Sequence, residues 1–116
     1  MALLIYHNPR CSKSRDTLAL LHAQGLTPTV VAYLDTPPDA TTLREVLAKL
    51  GLSDARALMR KGEAEYTDLN LADPSLSQEA LIAAMVAHPR LIERPIVVNG
   101  DQAAIGRPPE QVLAIL

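Results

Sequence analysis

Leu3-Leu4-Ile5-Tyr6-His7-Asn8-Pro9-Arg10-Cys11-Ser12 is the stretch that decides how this chain folds. Its first four residues form a continuous apolar run, the pattern of a strand covered on both faces. His7-Asn8-Pro9 stops that run, because a proline with polar neighbours favours a loop. A helix is predicted from about Ser12 to Gln24. Ser12 or Ser14 can cap it, Asp16 suits its first turn, and Gly25 suits its end. Thr17, Leu18, Leu20 and Leu21 supply its buried stripe. Thr29 to Tyr33 is rich in β-branched residues and reads as a second buried strand. Strand, helix and strand over about thirty residues make a right-handed parallel βαβ unit.

Beyond this unit, Asp35 to Ala40 contains Pro37-Pro38 and reads as a loop. The middle of the chain is helical. Thr42 with Glu45 forms a capping box, followed by an apolar face of Leu43, Val46, Leu47 and Leu50, and Gly51 ends that helix. A short helix is predicted from about Asp54 to Met59. Ser75 with Gln78 is a second capping box, ahead of Leu81, Ile82, Met85 and Val86, and its helix ends before His88-Pro89. Ile96-Val97-Val98 is the third strand. Asn99-Gly100 signals a hairpin whose two central residues both take positive φ. The fourth strand is then Gln102 to Ile105. Pro108-Pro109 opens a last helix with Val112, Leu113 and Leu116 buried. The expected fold class is α/β, one domain over 1–116. A four-stranded mixed sheet is flanked by helices, with a helical insertion at about 36–92.

Composition narrows the function classes. A chain of 116 residues with 48% hydrophobic residues buries a real core. That core is aliphatic, since there is no Phe, no Trp and only three Tyr. A net charge of −2 offers no broad attraction to nucleic acid or to an acidic membrane. The longest apolar run, Leu81 to Ala87, is too short to span a bilayer. The N-terminal residues lack the basic region and long apolar run of a secretory signal. A single cysteine excludes an internal disulfide, and a reducing cytoplasm is the expected compartment. Eight of the eleven basic residues are Arg, whose planar fork grips oxyanions.

Cys11 falls at the start of the first helix, where backbone N–H groups and a partial positive charge stabilise a thiolate or a bound anion. His7, Arg10, Lys13 and Arg15 flank it. A depressed thiol pKa is therefore predicted, and the thiolate is the nucleophilic form. The alternative is a buried structural cysteine, which the polar, basic flanks argue against. His7 either orients or charge-stabilises the thiolate or is a simple loop histidine. His22 and His88 read as surface residues, and no metal site is predicted. Arg44, Arg56 and Arg90 are assigned to surface faces. Low-molecular-weight phosphatases place five residues between their cysteine and arginine; the Cys-x-x-x-Arg from Cys11 to Arg15 does not fit that loop.

Tyr6-His7-Asn8-Pro9-Arg10-Cys11-Ser12-Lys13-Ser14-Arg15 closely resembles the active-site motif of the glutaredoxin-coupled arsenate reductases, the ArsC-type family of the ArsC/Spx superfamily. Leu58-Met59-Arg60-Lys61, Glu93-Arg94-Pro95-Ile96-Val97-Val98 and Ile105-Gly106-Arg107-Pro108 resemble that family's three oxyanion-arginine segments. Tyr33-Leu34 before Pro37-Pro38, and His88-Pro89, match as well, so the resemblance covers essentially the whole chain. It implies a thioredoxin-like fold with a helical insertion. Cys11 would be the nucleophile, aided by His7 and Ser14. Arg60, Arg94 and Arg107 would form the anion cradle, with Arg15 beside it. Pro95 would follow a cis peptide bond that aims Arg94 at Cys11. The implied substrate is arsenate or a similar oxyanion. No bound cofactor or metal is expected; glutathione would be the external reductant and glutaredoxin a partner. A cytoplasmic monomer is expected. Ser14 stands where a Cys-x-x-Cys pair has its second cysteine, so it either donates a hydrogen bond to the Cys11 sulfur or caps the helix. Two other readings share the scaffold: an Spx-like regulator that contacts RNA polymerase, and a monothiol glutaredoxin-like carrier.

Overall fold

The computed structural model describes residues 3–116. The chain divides into two compact units, one made of the residues up to 36 together with 94–116, the other of 37–93. The second coincides closely with the segment expected to be an insertion.

The first unit carries the sheet. Its elements are β1 (Leu3–Tyr6), α1 (Ser12–Ala23), β2 (Thr29–Val31), β3 (Ile96–Asn99), β4 (Gln102–Ile105) and a closing 3-10 helix, Pro109–Ile115. The strand order is β2-β1-β3-β4. β1 runs parallel to β2, with Ile5 opposite Val30, and antiparallel to β3, with Ile5 opposite Val97. β3 and β4 are antiparallel, Val97 facing Ala104. This is the four-stranded mixed sheet of a thioredoxin-like fold, as the sequence led us to expect. Ile5, Leu21, Val97, Val112 and Ile115 form its core cluster.

Four local features of this unit differ from expectation. β2 is not buried: Thr29 and Val30 are exposed, Val30 by 48%. It is one of the two edge strands, and β-branched composition reports strand preference rather than depth. No serine oxygen caps α1. Cys11 occupies the N-cap position, and the helix buries Ser14, Thr17 and Leu21 while Leu18 and Leu20 are half-buried. The hairpin turn is Gly100-Asp101, because Asn99 stays in β3 opposite Gln102 and Gly100 takes the positive φ of 61°. Finally, the last helix has 3-10 geometry. With three residues per turn, Pro109, Val112 and Ile115 face inward, while Leu113 and Leu116 are exposed.

The second unit is helical: α2 (Ala40–Leu50), a 3-10 turn Ala55–Leu58, α3 (Ala64–Asp68), α4 (Gln78–Ala87) and a 3-10 turn Pro89–Leu91. Met59 pairs with Ile92 in an isolated antiparallel bridge. The caps differ from the two boxes expected. Asp39 caps α2 by accepting from the Thr42 N–H at 2.8 Å, and Ser77 caps α4 by accepting from the Ala80 N–H at 3.1 Å. Thr42 already lies inside its helix, and the Gln78 side-chain oxygen accepts from the Ala55 N–H at 2.7 Å instead. Gly51 ends α2 in the left-handed region, φ 73°. α3 was not foreseen; it buries no residue, so it leaves no apolar period. Arg56 is also not a surface side chain. Its guanidinium donates to the carbonyls of Leu71 at 2.8 Å and Asp73 at 2.6 Å, tying the chain after α3. No helix among the described residues is long and apolar enough to cross a membrane.

Candidate active site

The apolar β1 ends where its register with β2 ends, and the chain turns away in His7–Arg10. Several bonds fix this turn. The His7 N–H donates to the Val31 carbonyl at 2.9 Å, and the Cys11 N–H donates to the Asn8 carbonyl at 3.0 Å. The Arg10 N–H donates to Asn8 Oδ1 at 3.0 Å, and Arg15 Nη1 to the Pro9 carbonyl at 2.9 Å. Arg15 is thus a brace of the loop that carries the thiol. A cavity of about 260 Å³ opens against this loop, walled by His7–Arg10 on one side and Ala32, Leu34 and Asp35 on the other.

Cys11 sits at the N-cap of α1 with an extended backbone, φ −94° and ψ 122°, and is only 9% exposed. No side chain makes a cap hydrogen bond there. The first-turn N–H groups therefore act on the sulfur. Burial raises the thiol pKa and is the largest single influence. It is outweighed by the Ser14 N–H, the Arg94 charge, the Lys13 N–H and the Arg107 guanidinium, which together bring the pKa below its usual value. Arg107 Nη1 lies 3.8 Å from Cys11 Sγ and donates to the Arg94 carbonyl at 3.2 Å. The Arg94–Pro95 bond is cis, as expected, and so is Arg107–Pro108.

His7 stands as a loop histidine, while the Ser14 hydroxyl takes neither expected role. His7 Nδ1 shares a 2.6 Å hydrogen bond with Ser14 Oγ, and that oxygen also accepts from the Asn8 N–H at 3.0 Å. The Ser14 hydroxyl therefore neither donates to the sulfur nor caps the helix. It links the loop to α1 from inside, fully buried, while its backbone N–H serves Cys11. Burial, then the nearby Arg15 charge, lowers the His7 pKa, so this imidazole is neutral at pH 7. Arg60 belongs to the second unit. There its Nη1 pairs with Glu63 Oε1 at 2.6 Å, and its N–H donates to the Leu91 carbonyl at 2.7 Å.

Two residues that the sequence places only in a buried stripe and in an arginine segment are neighbours of the site. Thr17 is fully buried on α1, one turn beyond Lys13, and Gly106 packs directly against it. A glycine just before Arg107-Pro108 was the available signal; the crowding that requires it arises only in three dimensions.

Residues 6–115 match the ArsC family. The chain is 64% identical over 112 residues to the uncharacterized protein YfgD of Escherichia coli K12, covering 97% of this chain and 94% of that one. It is 51% identical over 116 residues to an arsenate reductase of Haemophilus influenzae, covering 100% of both chains. The solved structure of an arsenate reductase from Vibrio cholerae is 58% identical, covers 100% of this chain and 98% of its own, and superposes with a TM-score of 0.97.

Proposed function

Since the chain belongs to the ArsC family, we propose that it is an oxidoreductase that reduces arsenate, with the Cys11 thiolate as the attacking group. The observation that carries this reading is the sulfur at the α1 N-terminus, 3.8 Å from a guanidinium nitrogen and shifted toward its charged form. The names of close relatives support the choice of oxyanion.

The chemistry balances with one cysteine and two outside thiols. The Cys11 sulfur forms a bond to arsenic while an arsenic–oxygen bond breaks, and that oxygen leaves as water after taking a proton. Arsenic is still pentavalent in this adduct. Arg94 and Arg107 balance the oxyanion's charge as bidentate donors. A first external thiol, glutathione, displaces a second oxygen as water. A second thiol, that of glutaredoxin, attacks the glutathione sulfur. A sulfur–sulfur bond forms, and the electron pair of the broken sulfur–arsenic bond stays on arsenic, which becomes trivalent. Water then releases arsenite from Cys11. Two thiols are oxidised to one disulfide, and arsenic gains the two electrons. No bound cofactor is required, and a reducing cytoplasm would keep such thiols available.

The test is arsenate reduction with glutathione and glutaredoxin, run beside Cys11→Ser. Turnover in the parent and none in the variant is expected. A parent that binds no arsenate and turns none over would remove arsenate from the function. A glutathione mixed disulfide formed at Cys11 without any arsenate would favour a thiol carrier instead.

A further inference from the structure

Thr17 and Gly106 are 89 residues apart in the chain, yet there is no room for a methyl group between them. A Cβ placed on Gly106 would overlap Thr17 Oγ1 and stand 2.8 Å from Pro95 Cγ and 3.1 Å from Thr17 Cγ2. Backbone conformation does not demand this glycine, since Gly106 is not among the glycines with positive φ. Close approach does.

Both sides of the contact are rigidly tied. Thr17 is fully buried, and its hydroxyl donates to the Lys13 carbonyl at 2.8 Å, which fixes the side chain against the first turn of α1. On the other side, the Gly106 N–H donates to the Pro95 carbonyl at 3.0 Å, and the Arg107 N–H donates to the Ile105 carbonyl at 2.9 Å in a three-residue turn centred on Gly106. The next side chain out of that turn is Arg107, whose Nη1 reaches Cys11 Sγ. Arg107 is exposed and long, so its place over the sulfur depends on where its backbone crosses α1.

We propose that Thr17 and Gly106 are positioning residues: their contact sets how closely the Ile105–Arg107 turn approaches α1, and thereby holds the Arg107 guanidinium over Cys11. The inference rests on the reading of Cys11 and Arg107 as the oxyanion site.

The experiment is a double-mutant cycle of Gly106→Ala and Arg107→Ala, read by the pH dependence of Cys11 alkylation with iodoacetamide and by arsenate kinetics. Gly106→Ala should move the alkylation midpoint up by roughly half a pH unit, the size of a partly exposed charge contact. It should raise KM for arsenate more than it lowers kcat. In the Arg107→Ala background the same substitution should add no further shift. Thr17→Ala combined with Gly106→Ala should recover part of the shift, because it removes two of the three crowded atoms. An equal shift with and without Arg107, or none in a Gly106→Ala protein that melts like the parent, overturns the proposal. If Gly106→Ala does not fold, Thr17→Ala, which removes the Thr17 side of the contact, replaces it in the same cycle with a smaller shift expected. Absence of arsenate turnover in the parent would end the substrate assignment, while the alkylation cycle would still decide the positioning.

Discussion

α2 and α1 begin in the same way, with a residue of extended backbone whose side chain faces the first-turn N–H groups, yet the two helix starts are used for opposite ends. At α2 the Asp39 carboxylate accepts from the Thr42 N–H and closes the helix; at α4 the Ser77 hydroxyl does the same. At α1 the capping position holds a sulfur, and the Ser14 and Lys13 N–H groups lower its pKa rather than meeting an oxygen. The arginines divide along the same line. Arg56 is spent on backbone carbonyls, whereas Arg94 and Arg107 act on the thiol. One helix start is closed by a side-chain cap, and the other leaves its N–H groups to a thiol.

Converting α1 into a helix start like the other two should have the largest effect. Cys11→Ser is expected to lower arsenate turnover by on the order of 10³-fold or more, as loss of a nucleophile does. Serine is a good capping residue, so the variant should fold at least as well below neutral pH. The pH dependence sharpens the point. The folded thiol has the lower pKa, so the thiolate adds stability that is fully present above the unfolded value near ~8.5 and is lost as pH falls through the folded value. Urea melts of parent and Cys11→Ser should therefore diverge in the parent's favour as pH rises; parallel curves would show that this helix start holds no special charge.

Removing the positive charge should come next. Arg94→Ala is expected to raise the Cys11 pKa and to cost roughly 10- to 100-fold in kcat/KM, the worth of a charge-assisted contact of about 1.5–3 kcal/mol. Alkylation against pH reads the first and steady-state kinetics the second. An unchanged thiol titration would leave the backbone N–H groups and Arg107 as its support.

At the closed end the loss is one of stability alone. Asp39→Ala should cost about 1 kcal/mol, the usual value for a lost cap, seen as a lower urea midpoint. Cys11 alkylation should keep its pH profile. A shifted profile would mean that the two helix starts are not separable in function.

What could be read in advance follows from the range of the forces involved. The β1–loop–α1 passage is local: an apolar run, a proline and a helix signal lie within a few residues, so the position of Cys11 at a helix start was visible. The hairpin pairing of β3 and β4 was visible for the same reason, though the turn slipped by one residue because Asn99 remained paired to Gln102. Caps were misplaced because Asp39 and Thr42, or Ser75 and Ser77, offer competing oxygens a few residues apart, and only the folded backbone selects one. The bonds of the Ser14 hydroxyl have no local signature, because its partners, His7 and Asn8, approach it only after the loop folds back. The crowding of Gly106 against Thr17 spans almost the whole chain and has no local signature.

His7 gives the smallest and most discriminating effect. Its imidazole is bound to Ser14, a loop-to-helix link behind the sulfur rather than a contact with it. Burial and Arg15 hold its pKa below the ordinary ~6.5. The unfolded chain therefore takes up this proton more readily than the folded one, and the stability His7 contributes is present above ~6.5 and is lost as pH falls through the folded value. His7→Gln should remove that component, leaving a flatter fall in urea midpoint as pH drops below about 6.5. If His7 only braces the loop, this variant should leave the Cys11 alkylation midpoint where it is in the parent. A large rise in the Cys11 alkylation midpoint would instead make the histidine part of the electrostatic machinery, and the open helix start would then owe its charge to the loop as well as to the helix and the arginines.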